Sequence, residues 1–509
     1  MAEGPTGPVF TNPKNLQGCQ DCPVARGACA PHEAEAAGCC GARSGVYATG
    51  YESGAFRYER GKTRVPAFPE LGLKHAITKS QRWWTHALDV IPAGSQTFSK
   101  APGCFVDGVS PKFLQRGKGA RVWDVDGNQF IDYCMGCFSV TLGHGFPAVD
   151  DAIRAQLSDG INLSLMHPLE VEVADRLRRL IPSAEMVRYG KNGSDATMAA
   201  ERLARFVTGR EKVACLGYHG IGDWYIGTTD RSYGVPAAVQ ALTMPFKYND
   251  IASLEALFAA HRGQIACVIM EPALFEFPKP GFLEQVRELT RAQGALLIFD
   301  ELLTGFRFAA GGAQELLGVT PDLTTLGKGV ANGMPIGVVA GRAEYMRHFD
   351  KVFFSTTYGG EALTLAAAAA ALDTYLEGGV IPRLWKSGKI IFDNFTRLIE
   401  QRGLTARMRL IGYPVRQQIV FRDRQGQPSY ELSGLFQQEM AKRGILSYAG
   451  LGFSAMHTDD ELMYTVAAFD ATLDVLAKAV EVDDPGRFLE GRPPEPVFRA
   501  LRDKAQTSN

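Results

Sequence analysis

IACVIMEP (265–272), FLEQVRELTRAQG (282–294) and ALLIFDE (295–301) follow one another as an apolar run, an amphipathic stretch and a second apolar run. The two runs are the length of strands, and the stretch between them carries its apolar residues at helical spacing. Strand, helix, strand in that order is a βαβ unit, and a βαβ unit builds a parallel sheet. Runs apolar throughout, rather than alternating, belong to strands covered on both faces. Glu271 and Asp300 then fall at strand C-termini, where open α/β sheets bind their ligands.

Working outward, short apolar runs alternate with amphipathic stretches from about 150 to 345. The expected large domain is a three-layer α/β unit with a mostly parallel sheet over 151–380. An Ala-rich helix, EALTLAAAAAALDTYLE (361–377), closes it, and mixed helices and strands, including RQQIVFRD (416–423), give a smaller α/β domain over 381–485. Residues 61–150 are expected to contribute to that smaller domain. Within them, RVWDVDGNQFIDY (121–133) places Asp126-Gly127-Asn128, residues that tolerate positive φ, between two strand-like runs, a hairpin signal. Residues 1–60 read as an irregular, Cys-rich appendage and 486–509 as a tail that docks or frays.

The chain has 509 residues, with 54 basic against 55 acidic, for a formal charge of -1. Such balance supplies no overall field for nucleic acid or anionic lipid, so small molecules are the expected partners. No uninterrupted apolar run of membrane-spanning length is present, and the start lacks a basic and apolar leader, so a cytoplasmic protein is expected.

Three short stretches carry chemistry. DLTTLGKGVANGMPIG (322–337) sets Lys328 between glycines, a setting in which an amine can approach a carbonyl and form a Schiff base. A surface turn would read the same way. Asp300, ending a buried strand, needs a cation, and the protonated nitrogen of a pyridine ring is one. KNGSDATMAAERLARF (191–206) puts Asn192, Gly193 and Ser194 at a helix start, where free amides and the helix dipole hold a phosphate, or where an ordinary N-cap sits.

Together these stretches resemble the class III, fold type I pyridoxal-phosphate aminotransferases, and within them the glutamate-1-semialdehyde aminomutase-like subgroup. The likeness covers roughly 85–480 and is densest over DELLTGFRFAAGGAQELLGVTPDLTTLGKGVANGMPIG (300–337). It implies pyridoxal 5′-phosphate as cofactor, Lys328 as its Schiff-base lysine and catalytic residue, and Asp300 as the partner of the pyridine nitrogen. It also implies Gly193 and Ser194 on the phosphate. GYHGIGDWYIGTT (217–229) is similar to the family's Tyr-His-Gly turn, which puts Tyr218 on the ring with His219 beside it. Glu271, in the IMEP segment, supports the ring hydroxyl or pairs within the surrounding network. STTYGGEAL (355–363) resembles the segment whose threonine, here Thr357, reaches the phosphate of the neighbouring subunit, implying a homodimer with shared sites.

Two departures from the family remain. Where the aminomutase carries a Gly-Val-Asn-Ser-Pro-Val-Arg pattern, this chain has GSQTFSKA (94–101), with Lys100 in place of the substrate-binding arginine. Lysine lacks the planar fork that grips a carboxylate. The expected activity is therefore amino transfer between a polar amine donor and a carbonyl acceptor. Intramolecular aminomutase action and a non-catalytic scaffold are the alternatives, and the retention of Lys328, Asp300 and Tyr218 speaks against the scaffold. The second departure is Cys19, Cys22, Cys29 and His32, whose Cys-x2-Cys-x6-Cys-x2-His order offers soft ligands to zinc or an iron–sulfur cluster, against a tail with idle thiols. Cys134-x2-Cys137 is expected to serve packing.

Overall fold

The structure is a computed structural model that describes residues 56–448 and 450–495. The four cysteine and histidine positions proposed for metal, Cys19, Cys22, Cys29 and His32, lie outside these residues. Among the described residues no group of His, Cys, Asp and Glu is placed to hold a metal ion. No described helix is long and apolar enough to cross a membrane.

The expected hairpin is present. β1 (Leu114–Lys118) pairs with β2 (Arg121–Asp124), which pairs antiparallel with β3 (Gln129–Asp132). Of the turn residues only Gly127 uses positive φ, 96°. Asn128 is buried instead, its Oδ1 accepting from the amides of Lys74 and His75 and its Nδ2 donating to Asp124. The polar side chain thus clamps an incoming segment rather than easing the turn.

The central sheet contains β4 (Met186–Gly190), β5 (Lys212–Leu216), β6 (Thr243–Pro245), β7 (Ile265–Met270), β8 (Leu296–Asp300), β9 (Leu323–Leu326) and β10 (Gly337–Gly341). Their order is β4-β10-β9-β8-β7-β5-β6. The run from β6 to β9 is parallel, and β7 and β8, the strands first read from the sequence, are direct neighbours with every residue buried. β10 is antiparallel to both β9 and β4. It therefore restores to β4 the direction of the other strands. A Cβ on Gly337 would collide with the carbonyl of Asn192, so β10 can pass this close to the turn after β4 only with glycine there.

Helices cover both faces. α1 (Gly193–Thr208) lays Ala199, Ala200 and Leu203 against Ile269, Ile298 and Val339, its alanines letting it approach the sheet closely. α2 (Phe282–Ala292) packs Phe282, Leu283 and Val286 against Val268 and Phe299 on the other side. This is the expected three-layer α/β fold.

After α3 (Ala362–Glu377) and α4 (Val380–Gln401), β11 (Met408–Tyr413) and β12 (Arg416–Phe421) form a second hairpin. The short β13 (Ile445–Leu446) joins β3 in parallel, tying the N-terminal hairpin to the C-terminal part of the chain, and β14 (Gly450–Leu451) joins β12. The long helix α5 (Asp459–Glu481) follows. Residues up to 495 dock rather than fray: the amide of Asp107 donates to the carbonyl of Arg492, and that of Glu495 to the carbonyl of Gly103.

Candidate active site

Five of the six co-directed strands, β4, β5, β7, β8 and β9, end at one edge of the sheet. The loops leaving them line a cleft of about 450 Å³, with Gly193 and Ser194 from the first, Tyr218 from the second and Glu271 from the third. Asp300 at the end of β8 and Lys328 after β9 complete it, and Arg416, the first residue of β12, faces it from the second hairpin. Six of the residues singled out in the sequence are thus gathered from positions more than 130 apart in the chain.

His219 is fully buried directly behind them. Its Nδ1 lies 2.8 Å from Asp300 Oδ2, and its ring stacks on Trp224 with centroids 6.0 Å apart. A neutral imidazole facing a carboxylate this way carries its proton on Nδ1, leaving Nε2 as an acceptor. That buried Nε2 has no hydrogen-bond partner among the described residues. The other oxygen of Asp300 accepts from the Leu302 amide at 3.1 Å and the Thr325 hydroxyl at 3.3 Å. The carboxylate is therefore fixed from two sides and retains lone pairs toward the cleft.

At the start of α1, the side chain of Asn192 accepts from the Asp195 amide, and Asp195 returns the bond to Asn192, a closed capping box. The amides of Gly193 and Ser194 are left without partners among the described residues, the arrangement that binds an anion at a helix N-terminus. Ser194 Oγ accepts from the Ile221 amide at 3.0 Å, pinning the loop after β5 to the helix. Gly220, at φ 98°, sits against that hydroxyl, where a Cβ would collide with Ser194 Oγ.

Lys328 occupies the left-handed region at φ 45°. Its flanking glycines are closely packed: a Cβ on Gly327 would come within 2.5 Å of the Leu302 side chain, and one on Gly329 within 3.0 Å of Thr141 Oγ1. Lys328 Nζ has no hydrogen bond or ion pair among the described residues. Desolvation lowers its pKa from the ordinary lysine value, with Arg416 and Arg307 adding to the effect and Asp300 and Glu271 opposing it. A lowered pKa leaves more neutral amine near pH 7, the form that attacks a carbonyl.

Glu271 is engaged on both oxygens. Oε1 accepts from the Tyr218 amide at 3.0 Å, and Oε2 pairs with Arg416 Nη1 at 2.9 Å. Both oxygens are thus held within the network around the cleft. Arg416, which also donates to the Ala273 carbonyl at 2.6 Å, is the residue that sequence reasoning missed. Nothing in RQQIVFRD distinguishes its first arginine from a surface residue at a strand end.

Two expected site residues lie elsewhere. Thr357 is exposed, and its neighbours Thr356 and Gly359 line a different cavity of about 620 Å³. Lys100 lines a third, of about 540 Å³, which shares no residue with the lysine cleft.

Residues 106–480 match the model of the family described as aminotransferase class-III, a span that includes every one of these positions except Lys100. The chain belongs to the class-III aminotransferase family. Among its relatives is the 3-aminobutyryl-CoA aminotransferase of Cloacimonas acidaminovorans, 34% identical over 415 residues, 80% of this chain and 99% of that one. The glutamate-1-semialdehyde 2,1-aminomutase of Chloroflexus aurantiacus is 41% identical over 320 residues, 59% of this chain and 72% of that one. The FumI protein of Sphingopyxis sp. MTA144, solved with PLP, superposes with a TM-score of 0.75 at 28% identity, over 81% of this chain and 100% of that one.

This class-III aminotransferase is thus a PLP-dependent enzyme that uses a small-molecule amine donor and carbonyl acceptor. The residues present fit pyridoxal 5′-phosphate: a partly buried amine, a fixed carboxylate and two free helix-start amides converge on one cleft.

Proposed function

We propose that the chain catalyses intermolecular amino transfer, with Lys328 as the covalent anchor of the cofactor. The single observation that carries this reading is Lys328, with its lowered pKa, facing the same cleft as Asp300. When bound, pyridoxal 5′-phosphate supplies an electrophilic carbonyl and a ring that withdraws electrons from the substrate carbon. Asp300, steadied by His219, would hold the pyridine nitrogen protonated. The amides of Gly193 and Ser194 would hold the phosphate, and Tyr218 would cover one face of the ring. Lys328 Nζ, once free, is the amine placed to take a proton from the substrate and return it.

Arg416 adds a substrate class. It is the cation that lines the cleft beside Lys328, and its pairing with Glu271 keeps it there without neutralising its remaining donors. A donor or acceptor bearing a carboxylate would meet a guanidinium whose Nη1 is held by Glu271 and Ala273 and whose Nη2 remains to donate a charge-assisted hydrogen bond. Lys100, on the wall of another cavity, is not part of that contact within one subunit.

The active unit is a homodimer in this reading. Support comes from exposed apolar side chains near Thr357: Met166, 74% exposed, lines one cavity with Thr356, and Phe353, four residues before Thr357, is 77% exposed.

The aminomutase relative favours a second reading, internal migration of the amine within one substrate. Turnover of paired donors and acceptors, compared with glutamate-1-semialdehyde alone, separates the two. Release of a carbonyl product only when both partners are supplied supports transfer. Efficient conversion of the single substrate without an acceptor makes the enzyme a mutase.

A further inference from the structure

The 540 Å³ cavity that takes in Lys100 also takes in Cys134, Cys137 and Tyr448. Cys134 packs with Val122, Phe130 and Leu446, as expected, but packing does not account for the backbone between the two cysteines. Met135 and Gly136 have φ of 40° and 58°, and the amide of Phe138 closes onto the Cys134 carbonyl at 3.0 Å. Cys137 and Phe138 continue at φ 59° and 66°, so the segment is a single left-handed helical turn, in which Cα atoms three residues apart lie about 5 Å from each other, within the range of roughly 4.4–6.8 Å that a disulfide spans. Asp132 Oδ1 holds the turn in place by accepting the amides of Cys134 at 2.8 Å and Met135 at 3.1 Å.

The two thiols differ in access. Cys134 is buried, with Sγ 3.9 Å from the carbonyl of Leu446, whereas Cys137 is partly exposed and its Sγ lies 3.7 Å from the Tyr448 hydroxyl. One reachable sulfur beside one sheltered sulfur is the division between an attacking and a resolving thiol. The cavity wall says what could reach them. Lys100 and Arg116 line it without an ion pair among the described residues, while its acid, Asp132, is paired with His144 at 3.0 Å. The wall is therefore suited to an anionic small molecule.

The turn is also linked to the active site. Arg307, fully buried, donates to the Phe138 carbonyl at 2.7 Å and lies 3.4 Å from Thr141 Oγ1. Thr141 Oγ1 in turn packs against Gly329, next to Lys328. Two side chains, Arg307 and Thr141, thus connect the turn to the lysine loop.

We propose that Cys134 and Cys137 form a reversible disulfide by exchange with an anionic low-molecular-weight disulfide admitted to this cavity, and that its formation slows amino transfer. Cys137, as thiolate, attacks one sulfur of the incoming disulfide and expels the first thiolate. Cys134 then gives up its proton and attacks the Cys137 sulfur, expelling the second. Two cysteine thiols are oxidised, one small disulfide is reduced to two thiols, and the two protons pass to them.

Peptide mapping of the full-length enzyme tests this. The protein is equilibrated with oxidised and reduced glutathione at increasing ratio, quenched, alkylated and digested with trypsin. The fragment 122–154 contains Cys134 and Cys137 and no other cysteine. The expected result is that this fragment becomes two hydrogens lighter and resists alkylation, with turnover falling roughly tenfold in parallel. Dithiothreitol should restore both, and Cys137→Ser should keep its turnover at every ratio. At equal concentration, the neutral disulfide of mercaptoethanol should react more slowly than oxidised glutathione. Full alkylation at every ratio, a cross-link from Cys137 to Cys104 or to an N-terminal cysteine, or an internal disulfide with unchanged turnover would each overturn the proposal. Equal rates for the two oxidants would overturn the anionic docking.

Discussion

His219 Nδ1 and Asp300 Oδ2 are 2.8 Å apart with both side chains buried, so the carboxylate that faces the cleft is oriented by an imidazole behind it. His219→Leu removes that donor. A charge-assisted hydrogen bond contributes about 1.5–3 kcal/mol, so cofactor affinity should drop by about tenfold to a hundredfold. Fluorescence titration of the cofactor-free variant checks this, with its thermal unfolding as the control for folding. Unaltered affinity would mean that Asp300 holds its orientation without His219.

Much of this arrangement is legible in the sequence, because the residues that make it lie at the ends of short apolar runs. IACVIM and ALLIFD specify buried parallel strands by composition alone, and their last or following residues, Asp300 and Glu271, inherit the crevice from topology. Gly327 and Gly329 are readable from their place on either side of Lys328, where a Cβ would crowd Leu302 and Thr141. The partner of Asp300 is less readable, because His219 arrives from β5, more than 80 residues earlier. Arg416 is illegible from local pattern, since its burial comes from the meeting of β12 with the loop after β7. The antiparallel insertion of β10 is hidden too, because GVVAG reads as a strand but carries no mark of its direction.

Arg416→Ala should discriminate between substrates. Losing a charge-assisted hydrogen bond to a carboxylate costs about 1.5–3 kcal/mol, so KM for a carboxylate-bearing donor should rise by about tenfold or more. KM for an amine without a carboxylate should change little. Steady-state kinetics with matched donors gives the answer, and equal losses for both classes would assign Arg416 to holding Glu271 in place.

The lowered pKa of Lys328 has a testable sign. Below its folded-state value the amine is protonated and inert, and above it the amine is neutral and reactive. In the cofactor-free protein, acylation of Lys328 should therefore reach half its maximal rate at a pH below the ordinary lysine value of about 10.4. Arg416→Ala removes a cation that lowers the value, so the midpoint should move up, whereas Asp300→Asn removes an anion that raises it, so the midpoint should move down. Mass spectrometry of the labelled peptide across pH follows this directly. A midpoint at or above the ordinary lysine value contradicts the desolvated setting.

Thr357, exposed in the single chain, is expected to act in the neighbouring subunit's site. Mixing Lys328→Ala subunits with Thr357→Ala subunits should then regenerate activity, because one of the two sites in each heterodimer would carry neither change. Activity should approach about a quarter of the wild-type value under random pairing of equal amounts, since half the dimers are mixed and each holds one intact site. A mixture no more active than its components would place Thr357 and Lys328 in the same subunit's site.

The central claim, that Lys328 anchors the cofactor, is tested most directly by borohydride reduction of the protein loaded with pyridoxal 5′-phosphate, followed by trypsin and mass spectrometry. Reduction should fix the label on Lys328 and block cleavage there, giving a single labelled fragment that spans 308–342. Lys328→Ala should yield no labelled fragment. A label found on another lysine, or one that persists in Lys328→Ala, would contradict the assignment.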